Sequence, residues 1–187
     1  MFEVCASYKT SNESIGQRTR GVTKESVHYI VYMESIPFKA PNFTINGKFN
    51  VRVVGLHDGD TMNCVWRFAG DFFKFSVRLE GIDTPEMTSK DPELKKRALG
   101  ARNRLFELIT CTKDQQTHTW TKKNFDEYFE KNATVLSLVC NGLDKYGRIL
   151  GTVGSPSFSS ILVKEGHAYE YGGRTKLTED QQLQLGV

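Results

Sequence analysis

No stretch of the 187-residue chain approaches the roughly 18 consecutive apolar residues that a membrane-spanning helix requires. The best apolar runs, Val27 to Met33 and Val135 to Val139, have only strand length, so no membrane span is expected. Cys5, Cys64, Cys111 and Cys140 lie far apart without a C-x-x-C pair. That spacing argues against a zinc site and against a dense disulfide framework, and it predicts free thiols. With 5 Pro and 16 Gly, the chain is neither collagenous nor low in complexity, and 39% hydrophobic residues are enough to build a core. Charge of one sign is also lacking: 25 basic against 22 acidic side chains leave a net +3. A balance this even allows a nucleic-acid partner without demanding one. Residues 1 to 20 turn polar by Ser7 and contain no apolar segment of the kind a secretory signal needs, so secretion is not expected.

What the chain does contain is a succession of strand patterns. Residues 1–47 read as an arm, polar up to about residue 25 and then carrying one strand, Val27 to Met33, dense in β-branched and aromatic residues. From residue 48 the pattern predicts strands over Phe49 to Gly55, Thr61 to Phe68 and Phe72 to Leu79, turning at Asp58-Gly59 and at Ala69-Gly70-Asp71. Leu94, Ala98, Ala101, Leu105, Leu108 and Ile109 then recur at steps of three and four, which predicts an amphipathic helix between Glu93 and Thr110. Lys95, Lys96, Arg97, Arg102 and Arg104 would form its basic outer side. Residues 112–132 read as an insertion with one short helix through Phe125, Tyr128 and Phe129. Strands resume at Ala133 to Cys140 and Ile149 to Val153, and a second helix over Ser159 to Glu165 is closed by Gly166. Strands, an inserted helix and strands again fit an α+β, mainly β fold: a small β-barrel with flanking helices and an N-terminal extension. The main domain then spans 48–178, with 179–187 as a short C-terminal tail of at most two helical turns.

Three segments concentrate chemistry: His57-Asp58-Gly59-Asp60-Thr61, then Arg78 to Glu86 with its Asp83-Thr84-Pro85-Glu86 end, then Asp144-Lys145-Tyr146-Gly147-Arg148. In this order and spacing they resemble the staphylococcal (micrococcal) nuclease family, with its D-G-D-T, R-x-x-x-x-D-T-P-E and D-K-Y-G-R motifs. The resemblance covers roughly residues 48 to 173 and implies that the barrel of this nuclease-like domain is a five-stranded OB-fold. Breaking a phosphodiester requires positive charge around a doubly charged pentacoordinate phosphorane. Asp60 and Asp83 offer hard carboxylate oxygens for Ca²⁺, and the resemblance adds the Thr84 backbone carbonyl. Arg78 and Arg148 offer planar forks for phosphate oxygens. Glu86 matches the family's general base. By the same resemblance, Lys145 and Tyr146 flank the terminal phosphate and sugar, and Tyr171 falls near a base-stacking tyrosine.

Each piece also has a plainer reading. Asp58-Gly59 suits a type I′ turn, and Thr84, Pro85 and Glu86 suit the cap, first and third positions of a helix. Arg78 suits a cross-strand pair beside Glu80, Arg148 a turn salt bridge with Asp144, and Tyr169 and Tyr171 edge-strand aromatics. His57 and His118 are expected as surface histidines. The Tyr171 to Lys176 segment departs from the founding nuclease and is similar to the Y-x-G-G-x-K endings of other family members.

The resemblance implies a Ca²⁺-dependent nuclease that cleaves DNA or RNA with low sequence specificity and leaves a 3′-phosphate. The alternative is a nuclease-like module kept for binding or for assembly into a viral or other large complex, with residues 1–47 as the docking arm. The expected location is intracellular or virus-associated.

Overall fold

The computed structural model describes residue 39 and residues 41–112 and 120–187. The expected strand Val27 to Met33 and His118 lie outside the described residues. The chain divides between Asn42 and Phe43, and the second unit, Phe43–Val187, carries the fold. It contains strands β1 (Asn46–Leu56), β2 (Thr61–Phe68), β3 (Asp71–Leu79) and β4 (Ile82–Asp83), followed by helices α1 (Pro92–Thr110) and α2 (Lys122–Lys131). Strands β5 (Thr134–Leu143) and β6 (Ile149–Val153), helix α3 (Phe158–Lys164), strand β7 (Tyr169–Glu170) and helix α4 (Glu179–Leu185) complete it.

Five strands close into a barrel in the order β1-β2-β3-β6-β5, and β4 pairs with β7 in a separate two-stranded sheet. All barrel pairings are antiparallel except β3 with β6. This is the mainly β barrel with flanking helices that the strand order predicts, with the OB-fold that the resemblance implies. Alternate residues point inward, as the pleat requires, so Val51, Val53, Met62, Cys64, Val77 and Leu138 are fully buried while their neighbours face out. Cys64 and Cys140 are buried free thiols, and burial raises the pKa of both. No helix among the described residues is long and apolar enough to cross a membrane.

Helix α1 starts later than the Thr84-Pro85-Glu86 motif would have it. Asp91 is its N-cap, with Oδ1 accepting from the Glu93 and Leu94 amides at 2.9 and 3.0 Å, and Pro92 sits in the first turn. The same cap chemistry therefore operates seven residues downstream, where the apolar stripe beginning at Leu94 gives the helix a face to bury. Arg102 does not join the basic outer side either. It is buried, donates to the Trp120 carbonyl at 2.8 Å and lies over the Phe125 ring at 4.7 Å. The contact secures the insertion to the core, because Phe125 and Phe129 of α2 pack edge-on against Phe106 of α1.

At the start of the domain, buried Ile45 precedes β1, so barrel packing begins before residue 48. At its end, the segment from 179 forms a short helix of two turns capped by Thr178, within the length its sequence allows. Gln182 and Val187 are buried, and Arg97 of α1 donates to the Val187 carbonyl at 2.9 Å.

Candidate active site

Barrel register brings the charged residues together. Thr61, the first residue of β2, lies opposite Arg78 near the end of β3, so the guanidinium reaches the loop that precedes Thr61. Nη1 of Arg78 donates to Asp60 Oδ2, and Nη2 donates to Asp83 Oδ1 at 2.6 Å and to the Ile82 carbonyl at 2.9 Å. These contacts use three of the five guanidinium N–H groups and leave two for another partner. All three side chains are buried: Asp60 is 2% exposed, Asp83 1% and Arg78 6%. Arg78 is therefore not a solvated partner of Glu80, whose carboxylate accepts from Asn141 instead. Thr61 Oγ1 donates to Asp60 Oδ1 at 2.8 Å. Asp83 pairs across the small sheet with Tyr169, whose hydroxyl donates to Asp83 Oδ2 at 2.5 Å.

The loop between β1 and β2 is longer than a two-residue type I′ turn, which needs positive φ at both central positions. Residues 57–60 all lie between the strands, the His57 amide donates to the Thr61 carbonyl at 3.0 Å, and neither Asp58 nor Gly59 has positive φ. Gly59 is needed for close approach: a Cβ there would stand 2.6 Å from the Ala101 Cβ and 3.0 Å from Thr84 Cγ2. The loop thus seats against α1 and against the Thr84 segment, turning Asp60 inward. Asp58 follows as an acceptor for the Asp60 amide at 3.2 Å and for His57 Nδ1 at 3.1 Å.

Asp60, Asp83, Thr84, Glu86, Arg78 and Arg148 all line one cleft of about 270 Å³, together with His57, Asp58, Thr61, Ser76 and Lys176. Glu86 lies in the open segment between β4 and α1, exposed at the rim, so it is not a helix-capping residue. Arg148 does make the turn salt bridge, its Nε donating to Asp144 Oδ2 at 2.7 Å, while Nη1 reaches to 3.5 Å from Thr61 Oγ1 across the cleft. The plainer reading of Arg148 and its place in the site hold at the same time. Asp144 Oδ1 also accepts from the Tyr146 and Arg148 amides, and although burial opposes this, those bonds hold its carboxyl below the ordinary range.

Lys145, Tyr146 and Tyr171 lie apart from this cleft, on an adjoining groove of about 530 Å³ whose wall also includes Arg78, Arg148, Arg174 and Lys176. Tyr146 is exposed, with Lys145 Nζ 5.0 Å and Arg148 Cζ 5.7 Å from its ring centre. Tyr171 leaves β7 with its amide on the Gly81 carbonyl at 2.8 Å and its ring 5.6 Å from Arg78 Cζ. Tyr169 is the buried tyrosine of the pair and Tyr171 the accessible one.

Three groups in this arrangement escape a motif-based reading: Asp58, Tyr169 and Lys176. Asp58 looks like a turn residue, and Tyr169 looks like an edge aromatic because its partner, Asp83, is 86 residues away. Lys176 Nζ donates to Glu86 Oε1 at 2.6 Å and lies 3.1 Å from Asp83 Oδ1. Nothing in the residues around Lys176 indicates where its ammonium goes.

Burial and the like charge of Asp58 raise the Asp60 pKa against the pull of Arg78. Burial alone would lower Arg78 and Lys176, yet their carboxylate partners outweigh it and both are raised. Among the described residues, no group of three or more His, Cys, Asp or Glu side chains is arranged to hold a metal ion. The donors nevertheless suit a hard divalent cation: two buried carboxylates on one cleft, oxygen-only chemistry, and like-charge strain at Asp60 that added positive charge would relieve.

The closed OB barrel thus carries an acid-and-arginine cleft at its rim and an aromatic, basic groove beside it. Residues 76–186 match the family model described as staphylococcal nuclease homologue, and the chain belongs to that family. The match contains Arg78, Asp83, Thr84, Glu86, Lys145, Tyr146, Arg148 and Tyr171; Asp60 precedes it and joins the site through Arg78. No curated protein matches the chain. Family membership carries a nuclease-type function and a nucleic-acid partner as the coarse assignment.

Because of the close approach at Gly59, Gly59→Ala is expected to lower stability by about 1–3 kcal/mol, the usual range for an overpacked contact. A fall in the urea midpoint at unchanged m-value checks this. An unaltered midpoint would mean that the loop is free to lift off α1.

Proposed function

We propose that the chain is a Ca²⁺-dependent phosphodiesterase acting on DNA and RNA with little sequence choice and leaving a 3′-phosphate. The observation that carries this reading is the convergence of Asp60, Arg78, Asp83, Glu86 and Arg148, from four separate segments of the chain, on one cleft. Asp60, Asp83 and the Thr84 carbonyl would hold the cation. When bound, it would supply positive charge at the phosphate and a coordinated water. Glu86, exposed at the rim where its carboxylate pairs with Lys176, accepts the proton of the attacking water. Arg148, braced by Asp144, presents its fork to phosphate oxygens, and Arg78 contributes the two N–H groups its buried bonds leave over. As water adds to phosphorus, the P–O5′ bond breaks, giving a 3′-phosphate and a 5′-hydroxyl. Tyr171 and Tyr146 stack or flank the nucleotides, which gives affinity without base readout.

Purified protein incubated with single- and double-stranded DNA and RNA should cut polymer in Ca²⁺ and not in EDTA. A folded protein that binds polymer without cutting it in Ca²⁺ is instead the binding or assembly module.

Glu86→Gln is expected to slow the chemical step by about 10²- to 10⁴-fold. Its thermal midpoint should barely move, because an exposed ion pair contributes about 0–1 kcal/mol. Single-turnover rate and melting of this one variant check both halves, and near-normal turnover would remove Glu86 from proton transfer.

Arg148→Lys keeps the charge but loses the two-point fork, so turnover should still fall by about 10²-fold. Wild-type turnover in this variant would reduce Arg148 to a surface cation.

A further inference from the structure

Lys176 is a cation that the mechanism above leaves unused. It closes the segment that leaves β7 through Gly172 and Gly173, the latter at φ +83°, and returns to the cleft rim. Its side chain is 46% exposed, and its ammonium sits between Glu86, assigned to proton transfer, and Asp83, assigned to the cation.

Both Asp83 oxygens are already engaged. Oδ2 accepts from Tyr169, and Oδ1 faces Arg78 and Lys176 together. These three partners are not equally able to leave. Arg78 is buried and tied to Asp60 and the Ile82 carbonyl, and Tyr169 is held by strand pairing. Lys176 has a flexible four-carbon stem on an exposed segment and no hydrogen bond to a backbone carbonyl in this structure. It also lines both the cleft and the adjoining groove, so a modest swing moves the ammonium from one to the other.

We propose that Lys176 is a built-in counter-ion that a divalent cation must displace. While the ammonium lies on Asp83 and Glu86, half of the pair's negative charge is offset and the base is held. When a cation takes Asp83, the ammonium moves toward the groove and Glu86 is released for its proton. Lys176 thus weakens cation binding in the free protein and links it to freeing of the base. The proposal rests on the calcium reading of the preceding section.

The test is isothermal titration of the full chain with Ca²⁺ alone, without nucleic acid, comparing wild type with Lys176→Met, Lys176→Gln and Lys176→Arg. The expected result is at least about tenfold tighter Ca²⁺ binding by the Met and Gln variants, within the usual 5- to 150-fold scale of coupling between ligands. The Arg variant should remain near wild type, because it retains the competing charge. Binding that is detectable only in the Met and Gln variants gives the same support. Equal affinity in all four proteins overturns the counter-ion role while leaving the calcium reading standing. Weaker binding with a lowered melting midpoint in the neutral variants also overturns it, and makes Lys176 a structural tether of its loop. No Ca²⁺ binding in any of the four overturns both together.

Discussion

The buried guanidinium of Arg78 is the interaction on which the site depends. One side chain on β3 gathers Asp60 from the loop before β2 and Asp83 from β4, and it caps the Ile82 carbonyl as well. Buried carboxylates are costly unless they are paired and hydrogen-bonded, so these two depend on Arg78 for their place in the protein. The dependence is mutual, since a guanidinium at 6% exposure has little water to fall back on. What looks like a list of catalytic residues is therefore first a charge cluster that fixes where two loops leave the barrel. Tyr169 extends the cluster by binding the other Asp83 oxygen, and that ties β7, and so the Tyr171 to Lys176 segment, to the same centre.

Barrel register makes the cluster possible. Pairing Thr61 with Arg78 and, in parallel, Arg78 with Leu150 puts the end of β3 between the Asp60 loop and the strand that follows Arg148. A one-residue slip would turn Arg78 to the opposite face of the sheet, and the inward alternation of Met62, Cys64, Val77 and Leu79 opposes such a slip. Gly59 supplies the remaining tolerance, because its missing Cβ lets the Asp60 loop lie directly on α1. Hydrophobic patterning thus sets the geometry of a site that contains almost no hydrophobic residue.

Signals that depend on near neighbours in the chain were legible in the sequence. Strands β2 and β6 begin and end where alternation and turn residues place them, and α1 follows its three-four stripe to Thr110. The ordered motifs also marked the residues that meet at the cleft, because chemistry restricts residue type more tightly than packing does. Signals that depend on distant partners were not legible. Thr84-Pro85-Glu86 has the residues of a helix start, yet the chain there runs past the cleft, with Thr84 buried, and the helix waits for Asp91 and the apolar stripe. Arg102 reads as one more basic residue on an outer face until Phe125 and Trp120 of the insertion cover it. Lys176 belongs to the same class, since its partners lie about 90 residues earlier and no local pattern predicts where a flexible side chain ends up.

The two cavities at the barrel rim differ in their balance of charge. Asp58, Asp60, Asp83 and Glu86 face the cleft, where Arg78 and Lys176 offset only part of the negative charge and Arg148 is held to Asp144 at its edge. In the groove, Lys145, Arg148, Arg174 and Lys176 outnumber Glu80 and Asp144, and two accessible tyrosines lie among them. The excess of basic groups in the groove favours a polyanion there. Under the proposed function, nucleic acid and cation meet where the cavities share a wall, at Arg78, Arg148 and Lys176. A chain with a net charge of only +3 can act on nucleic acid in this way because the placement of its charges, more than their sum, sets the local field.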